Sequence, residues 1–208
     1  MTELARERNR RGEGGKLRDD VLAAATQLLE ETGSEESVTL RAVARKVGIS
    51  APSIYAHFPD RAAIVNAIVD DAFADFNAAI GAAIAGAATP PARLRAGCAA
   101  YLRFAAERPN RYRVLFERRD LVTDRGTVPE IRRQAFGALV DGLQECIDAG
   151  YSASRDPFGD ATAIWVALHG FATLHASLPA FPWPDAAAML DLIVNGLAKI
   201  GGPDRPTG

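Results

Sequence analysis

Residues 39–58 read TLRAVARKVGISAPSIYAHF, and this stretch decides the fold of the N-terminal part of the chain. Apolar residues recur at helical spacing as far as Val47, and Gly48 then ends the periodic run. Ala44 lies four positions before that glycine and Ile54 lies six positions after it. A helix-turn-helix needs this order, because a small side chain admits the second helix, glycine turns the chain, and a later aliphatic residue joins the pair. The spacing also occurs in helical hairpins of metabolic enzymes, so by itself it leaves both interpretations open.

Outside this stretch, helical periodicity continues almost everywhere and no alternating strand pattern occurs, which predicts an all-α fold. A first helix is expected to end at Gly33, and Asp60 is expected to cap a long helix after Pro59. The third helix should be short, from residue 50 to about 57. The later helices are expected at 91–108, 109–118, 129–149, 160–178 and beyond the proline-rich segment 180–185.

The composition is that of an ordinary soluble globular protein, with 208 residues, 48% hydrophobic residues, 24% charged residues and a net charge of -2. Two basic segments, 1–18 and 38–61, flank the acidic segment 19–37, so an anionic partner would meet local basic patches. Cys98 and Cys146 match no metal or redox spacing and are expected to be free thiols in a reducing cytosol.

The chain opens with charged residues and no apolar signal segment, which predicts a cytoplasmic protein. Residues 161–184 contain no Asp, Glu, Lys or Arg and therefore raise the alternative of a membrane span. Two histidines and three prolines interrupt this segment, and no companion span exists. We therefore expect a helix buried in protein, and no membrane partner.

The segment 38–64, VTLRAVARKVGISAPSIYAHFPDRAAI, resembles the DNA-binding region of the tetracycline repressor (TetR) family of bacterial transcription regulators. The residues that carry this resemblance are Gly48, Ile49, Ser50, Tyr55, His57, Phe58 and Arg61. One departure is that Asp60-Arg61-Ala62 stands where Lys-Glu is commoner, so the cation is kept and the adjacent acid is lost.

Two segments of the body extend the resemblance. YLRFAAERPNRYRVLF at 101–116 and WVALHG at 165–170 are similar to a TetR subgroup named for its Trp-His-Gly motif. Three short helices followed by longer ones predict a small N-terminal module joined to a larger helical body, and a tail at 201–208 is expected to be disordered. The resemblance implies that 1–60 is a helix-turn-helix DNA-binding domain with a basic arm and that 61–200 is a helical effector-binding and dimerisation domain.

Side-chain size and charge indicate how the short third helix would contact DNA. Small residues at its start let its N-terminus enter a major groove. By the resemblance, the DNA-contacting residues are Thr39, Arg41, Ala51, Pro52, Ser53, Tyr55, His57 and Arg61. Arg41, Ala51, Pro52 and Ser53 would face base edges, whereas Tyr55, His57 and Arg61 would hold phosphates.

Alternatives stay open for several of these residues. Arg41 could instead contact a phosphate or be a solvated charge, and Tyr55 could be a packing residue. Phe58 is expected in the core. The basic arm at 6–18 either follows phosphates or a minor groove, or is a free basic tail.

A single module of this size reads few base pairs, which predicts a homodimer on a palindromic operator in double-stranded DNA. The uncharged helix and the last helix would form a four-helix interface, as the resemblance also implies. The predicted interface residues are Leu168, Phe171, Leu174, Leu178, Ile193 and Leu197. Burial inside one chain is the alternative for each of them.

The resemblance implies a small-molecule effector in the body, and the aromatic character of the candidates favours a hydrophobic or aromatic compound. The candidate lining residues are Phe73, Phe76, Tyr101, Phe104, Leu115, Phe116, Phe136, Trp165 and His169. Each could equally be a core residue. Release of a repressor from its operator is the expected response, although activators exist among such proteins.

The sequence leaves two other classes of protein as alternatives. An all-α enzyme is disfavoured because His169 and His175 fall on different helical faces without a partnering glutamate, and no phosphate loop or nucleophile motif occurs. We therefore predict no catalysis, no cofactor and no metal. A small-molecule-binding or interaction module with weak, non-specific DNA binding is the second alternative, which the Tyr55, His57 and Arg61 set disfavours.

Overall fold

The computed structural model describes residues 14–116 and 130–201, and within these ranges the chain is all-α, as predicted. The helices are α1 Gly14–Thr32, α2 Leu40–Val47, α3 Ala51–Ile54, α4 Arg61–Ala85, α5 Pro90–Glu107, α6 Pro109–Phe116, α7 Glu130–Asp148, α8 Pro157–Ser177 and α9 Ala186–Leu197. A single 3-10 turn lies between α1 and α2.

Helix starts are set by side chains that accept hydrogen bonds from free backbone N–H groups. Thr39 Oγ1 accepts from the Ala42 N–H at 3.1 Å and begins α2. Asp60 Oδ1 accepts from the Ala63 N–H at 2.8 Å, which confirms Asp60 as the cap of α4. These short polar residues therefore determine where the helices begin.

Two helix lengths differ from the sequence prediction. The third helix, α3, ends at Ile54 and continues only as a turn, so it is shorter than expected. The uncharged helix, α8, begins at Pro157 because Asp156 caps it through the Gly159 N–H. Most of the basic arm at 6–18, the predicted break at 126–129 and the tail after 201 lie outside the described residues.

The chain divides into two compact units, one up to Val69 and one from Asp70 onward. The division falls inside α4, whereas the sequence predicts a domain boundary after residue 60. The functional boundary at residue 60 stays a prediction.

The first unit is built on a core of aliphatic residues and one phenylalanine. Helix α1 packs on α2, and α2 packs on α3. The fully or nearly fully buried side chains are Val21, Ala25, Leu29, Val38, Val43, Ala44, Ile54, Phe58, Ile64, Val65 and Ile68. The buried position of Phe58 agrees with its predicted role in the core.

The second unit is organised around α5, which contacts α6, α7, α8 and α9. Arg95 on α5 is paired with Asp191 on α9 at 2.5 Å, and this ion pair lowers the pKa of the aspartate. Lys199 and Ser154 both donate to Asp160, which links the end of α9 to the start of α8 and lowers the pKa of that carboxyl. Polar and charged side chains thus link α9 to α5 and to the start of α8.

No helix in the described ranges is long and apolar enough to cross a membrane. Both cysteines are buried free thiols, as the sequence predicts.

Gly48 gives a first test of this fold. Its φ is 77°, a left-handed conformation that alanine adopts only at a cost. Gly48→Ala should therefore lower the free energy of unfolding by about 1–2 kcal/mol in urea denaturation. Gly81→Ala is the matched control, because Gly81 lies inside α4 with open space around an added methyl group. That control should gain up to about 1 kcal/mol from helix propensity, and an equal loss in both variants would contradict the left-handed turn.

Candidate nucleic-acid interface and ligand cavity

The α2–turn–α3 segment has the close helix packing that the sequence predicts. Ala44 and Ile54 are both buried, at 3% and 0% exposure. The Gly48 N–H and the Ile49 N–H both donate to the Ala44 carbonyl, at 2.9 and 3.0 Å. These two bonds end α2 and turn the chain into α3, so one face of the short helix stays at the surface.

Most of the predicted DNA-contacting side chains lie on the surface of the first unit. Thr39, Arg41 and Pro52 are exposed, and Tyr55 is 57% exposed and therefore not a core residue of this unit. The remaining members of α3 and its following turn, Ala51, Ser53 and His57, are half-buried. Ser50 Oγ and Ser53 Oγ share a hydrogen bond of 2.8 Å.

Arg61 has a structural role that the sequence pattern did not indicate. Its Nε donates to the Val38 carbonyl at 3.1 Å, and its Nη2 donates to the Glu35 carbonyl at 2.5 Å. These bonds hold the start of α4 against the loop that precedes α2. The acceptors are backbone carbonyl oxygens more than twenty positions away in the sequence. The identity of side chains does not predict such partners.

Some of the other cationic side chains of this unit contact residues of the same unit, and others are exposed. Lys46 Nζ donates to both carboxylate oxygens of Glu31, at 2.9 and 3.0 Å. The Arg18 guanidinium lies over the Phe58 ring at 5.1 Å from its centroid. Arg41 and Arg45 remain exposed on α2, and Lys16 is exposed on α1.

The second unit contains a cavity of about 450 Å³, within the usual size range of small-molecule sites. Seven of the nine candidate lining residues contribute to its wall: Phe73, Phe76, Tyr101, Leu115, Phe116, Phe136 and Trp165. Further wall residues that were not predicted to line a ligand site include Ile80, Ile84, Leu94, Gly97, Cys98, Leu139, Gly142 and Leu168. Their signal, aliphatic residues at helical spacing, cannot be told from that of an ordinary core.

Phe104 and His169, the other two candidates, do not line the cavity. Phe104 packs edge-on against Phe76 with ring centroids 5.1 Å apart. His169 Nδ1 lies 2.7 Å from the Tyr112 hydroxyl, which shares a 2.8 Å hydrogen bond with the Tyr101 hydroxyl. Both residues therefore support wall residues from behind rather than facing the cavity.

Burial changes the acid–base behaviour of this hydroxyl chain. It raises the pKa of Tyr112 to about 12 and that of Tyr101 far above its ordinary value. Both phenols are therefore neutral near neutral pH, so they act as hydrogen-bonding groups without charge. Burial also raises the pKa of the Cys98 thiol to about 12.

Helix α6 joins the cavity wall to α4 through an ion-pair cluster. The Arg111 side chain is only 11% exposed, and its Nη2 donates to Asp71 at 2.8 Å while its Nη1 donates to Asp75. Arg108 is also paired with Asp75, at 2.8 Å. We call these residues the α4–α6 clamp. Its acidic and basic members lie more than thirty positions apart, so no sequence spacing indicates that they pair.

One end of the cavity wall carries charge. Arg93 donates to Glu145 from Nε at 3.2 Å and from Nη2 at 2.8 Å, and its Nη1 donates to the Ala88 carbonyl. Asp141, one helical turn before Glu145 on α7, also contributes to the wall and is exposed. Near the opposite end, Phe116 packs against Trp165 with ring centroids 6.5 Å apart.

The predicted interface residues separate into buried and exposed groups. Leu168, Phe171 and Ile193 are covered within the chain, with exposures of 2%, 8% and 7%, and Leu197 is half-buried. Leu174 and Leu178 are about half exposed. They continue a row at i, i+4 spacing that includes Val166 and Gly170, and we call these four residues the α8 stripe.

Comparisons with known proteins identify both units. The model for "Bacterial regulatory proteins, tetR family" matches residues 21–68. The model for "Tetracyclin repressor-like, C-terminal domain" matches residues 94–197, which is half of the chain. No functionally curated protein matches the sequence.

Solved structures share the fold over nearly the whole chain. A protein of unknown function from Rhodococcus sp. RHA1 aligns with a TM-score of 0.78 and 24% identity, covering 92% of this chain and 98% of its own. A tetR-family regulatory protein from Rhodococcus RHA1 aligns with a TM-score of 0.64 and 21% identity, covering 88% and 96%. The transcriptional regulator FadR from Bacillus subtilis, solved with stearoyl-CoA, aligns with a TM-score of 0.70 and 18% identity, covering 86% and 97%.

Arg61 can be tested for its structural role without any ligand. Arg61→Gln removes a cation that donates to two backbone carbonyls, so the free energy of unfolding should fall by about 1–2 kcal/mol. Arg45→Gln, an exposed cation on α2, is the control and should change it by less than about 0.5 kcal/mol. Equal stability of the two variants in urea denaturation would show that the Arg61 bonds do not hold α4.

Proposed function

The chain belongs to the TetR family of transcriptional regulators, and on this basis we propose that it is a repressor released from a palindromic operator by a small hydrophobic or aromatic effector. The observation that carries the DNA-binding part is the exposed surface of α2 and α3, where small residues and a tyrosine lie beside the uncovered Arg41. Small side chains let a helix approach base edges, and the arginine can bind guanine O6 and N7.

The proposed contacts have distinct roles. Arg41 reads a base edge, together with Ala51, Pro52 and Ser53. Thr39 and Tyr55 contact the DNA backbone, as does His57. Arg61 contributes mainly by holding α4 in place, since two of its guanidinium nitrogens are used by backbone carbonyls. Any phosphate contact from Arg61 would have to use the rest of the guanidinium.

Selection of bound duplexes from a random pool, at two salt concentrations, tests this assignment. The expected result is an enriched palindrome, because two copies of one module read two related half-sites. Arg41→Ala should weaken binding to the selected palindrome by at least about tenfold and relax preference at one position of each half-site.

Arg103→Ala is the matched control, since this arginine is exposed on α5 in the second unit. It should leave both affinity and preference unchanged. Uniform weakening by Arg41→Ala across all sequences, with a flatter salt dependence, would instead make Arg41 a phosphate contact. Weak binding without any consensus would favour the alternative of an interaction module with non-specific DNA binding.

The homodimer that we propose uses the α8 stripe and the neighbouring face of α9. Val166 is 59% exposed on α8, and Leu192 on α9 is 69% exposed. Soluble chains rarely leave such an uncharged apolar surface open to water. A second copy related by a two-fold axis would cover both surfaces at once. Gly170, in the middle of the stripe, leaves open space that permits a close approach of two helices.

Leu174→Glu tests the dimer. A two-fold interface repeats each substitution, so two carboxylates would be buried together and the protein should sediment as a monomer. Ala106→Glu, at an exposed position of α5, is the control and should keep the dimer mass in analytical ultracentrifugation. Wild-type protein that sediments as a monomer, or a Leu174→Glu variant that remains dimeric, would contradict this interface.

The ligand response that we propose runs through α6. Leu115 and Phe116 are cavity wall residues, while Arg111 on the same helix holds Asp71 and Asp75 on α4. An occupant that displaces α6 would therefore act on α4, the helix that also begins in the first unit. The stearoyl-CoA complex of the Bacillus subtilis regulator supports an effector with a long apolar part.

We also propose that the body belongs to the subgroup with the Trp-His-Gly motif. The three residues would have separate uses in this chain. Trp165 lines the cavity, His169 binds the Tyr112 hydroxyl, and Gly170 lies in the α8 stripe. The motif therefore brings the ligand site and the proposed interface onto one helix.

A further inference from the structure

The cavity wall is extended along the helices rather than rounded. Its residues on α4 run from Phe73 to Ile84, about 16 Å apart along the helix axis at the usual rise per residue. On α7 they run from Ala135 to Glu145, about 15 Å apart. The wall residues of this cavity of about 450 Å³ therefore spread over about 15 Å along two helices, which suits an elongated occupant.

The character of the wall changes along this length. The part near α6 is aromatic, with Phe116, Phe136 and Trp165. The middle is aliphatic, with Ile80 and Leu139, and two glycines, Gly97 and Gly142, leave room where the wall approaches the charged residues. An occupant that matches this wall is apolar over most of its length.

The charged residues of the wall lie toward the end opposite α6, and they determine which ligand charge the cavity favours. Arg93 is used by Glu145 and by the Ala88 carbonyl, so its charge is balanced inside the protein. Asp141 adds a second carboxylate to the same part of the wall. Among the described residues, the charged members of the wall are Arg93, Asp141 and Glu145, and they sum to one net negative charge, which attracts a cation and repels an anion.

We infer that the cavity binds a single elongated amphiphile whose apolar part lies along α4 and whose head group is a cation beside Asp141 and Glu145. This inference rests on the proposed function, because it names the chemical class of the effector. The headgroup preference would separate this chain from regulators whose ligands carry anionic heads.

The test compares three compounds with the same ten-carbon chain: decyltrimethylammonium, decanol and decanoate, each below its micelle concentration. Trp165 lines the cavity and Trp183 is the only other tryptophan in the sequence, so Trp183→Phe leaves a fluorophore at the site. Binding is measured from its fluorescence and by calorimetry, without DNA. Decyltrimethylammonium should bind at least about fivefold more tightly than decanoate.

Asp141→Asn should reduce that preference by about fivefold, since it removes one exposed charge while keeping the side-chain shape. Asp148→Asn is the matched control, because Asp148 is an exposed carboxylate of α7 outside the cavity wall. Decanoate binding as tightly as the cation, or an unchanged preference in Asp141→Asn, would overturn the inference.

Gly142→Ala tests whether the ligand reaches the charged end of the cavity, because Gly142 adjoins Asp141 on α7. The added methyl group would lie 3.6 Å from Leu94 Cδ1 and narrow the wall, so binding should weaken at least about fivefold. Gly137→Ala, on the same helix with open space and outside the wall, should leave binding unchanged. Both should melt at or above the wild-type temperature, since alanine favours a helix, so lost binding would not reflect unfolding. Unchanged binding in Gly142→Ala would overturn the extended placement.

A separate release assay on the selected operator keeps the two proposals apart. Binding of the cation without release of DNA would leave the inference intact and contradict effector control. Release of DNA by decanoate but not by decyltrimethylammonium would support effector control of DNA binding. It would contradict the inferred cationic head group.

Discussion

A helix of eight residues is too short to be stable in water by itself, and α6 therefore depends on what holds it in place. Arg111 supplies that support by binding Asp71 and Asp75 from a nearly buried position. Tyr112, the next residue, binds His169 on α8. Because Phe116 stands at the end of the same helix and forms part of the cavity wall, the shape of the cavity follows from these polar attachments. The apolar site is thus positioned by ion pairs and hydrogen bonds outside it.

Local chemistry made much of this molecule predictable. The order of Ala44, Gly48 and Ile54 predicted a turn between two packed helices, because each residue meets a requirement of the backbone within a few positions. Asp60 was identified as a helix cap for the same reason. Of the nine residues predicted to line an effector site, seven lie in the wall of one cavity. Whether they contact an effector stays a prediction.

The features that could not be predicted depend on contacts between residues that lie far apart in the sequence. Arg61 binds two backbone carbonyls whose positions exist only after α4 has folded against the loop before α2. Leu168 and Leu174 belong to one apolar helix, yet the first is covered by its own chain and the second is half exposed. Periodicity cannot separate them, because α8 has no charged face to mark the solvent side. Asp156 moved the start of that helix three residues earlier than expected.

Cys98 shows how the cavity wall limits the chemistry of whatever occupies it. Only the thiolate is a strong nucleophile, and with its pKa raised to about 12 by burial this sulfur stays protonated across the physiological range. An electrophilic compound in the cavity would therefore react slowly with this thiol. Peroxide would also oxidise it slowly, because oxidation requires the thiolate. The wall beside Cys98 therefore favours non-covalent over covalent capture of a compound, because the thiol is held in its weakly nucleophilic form.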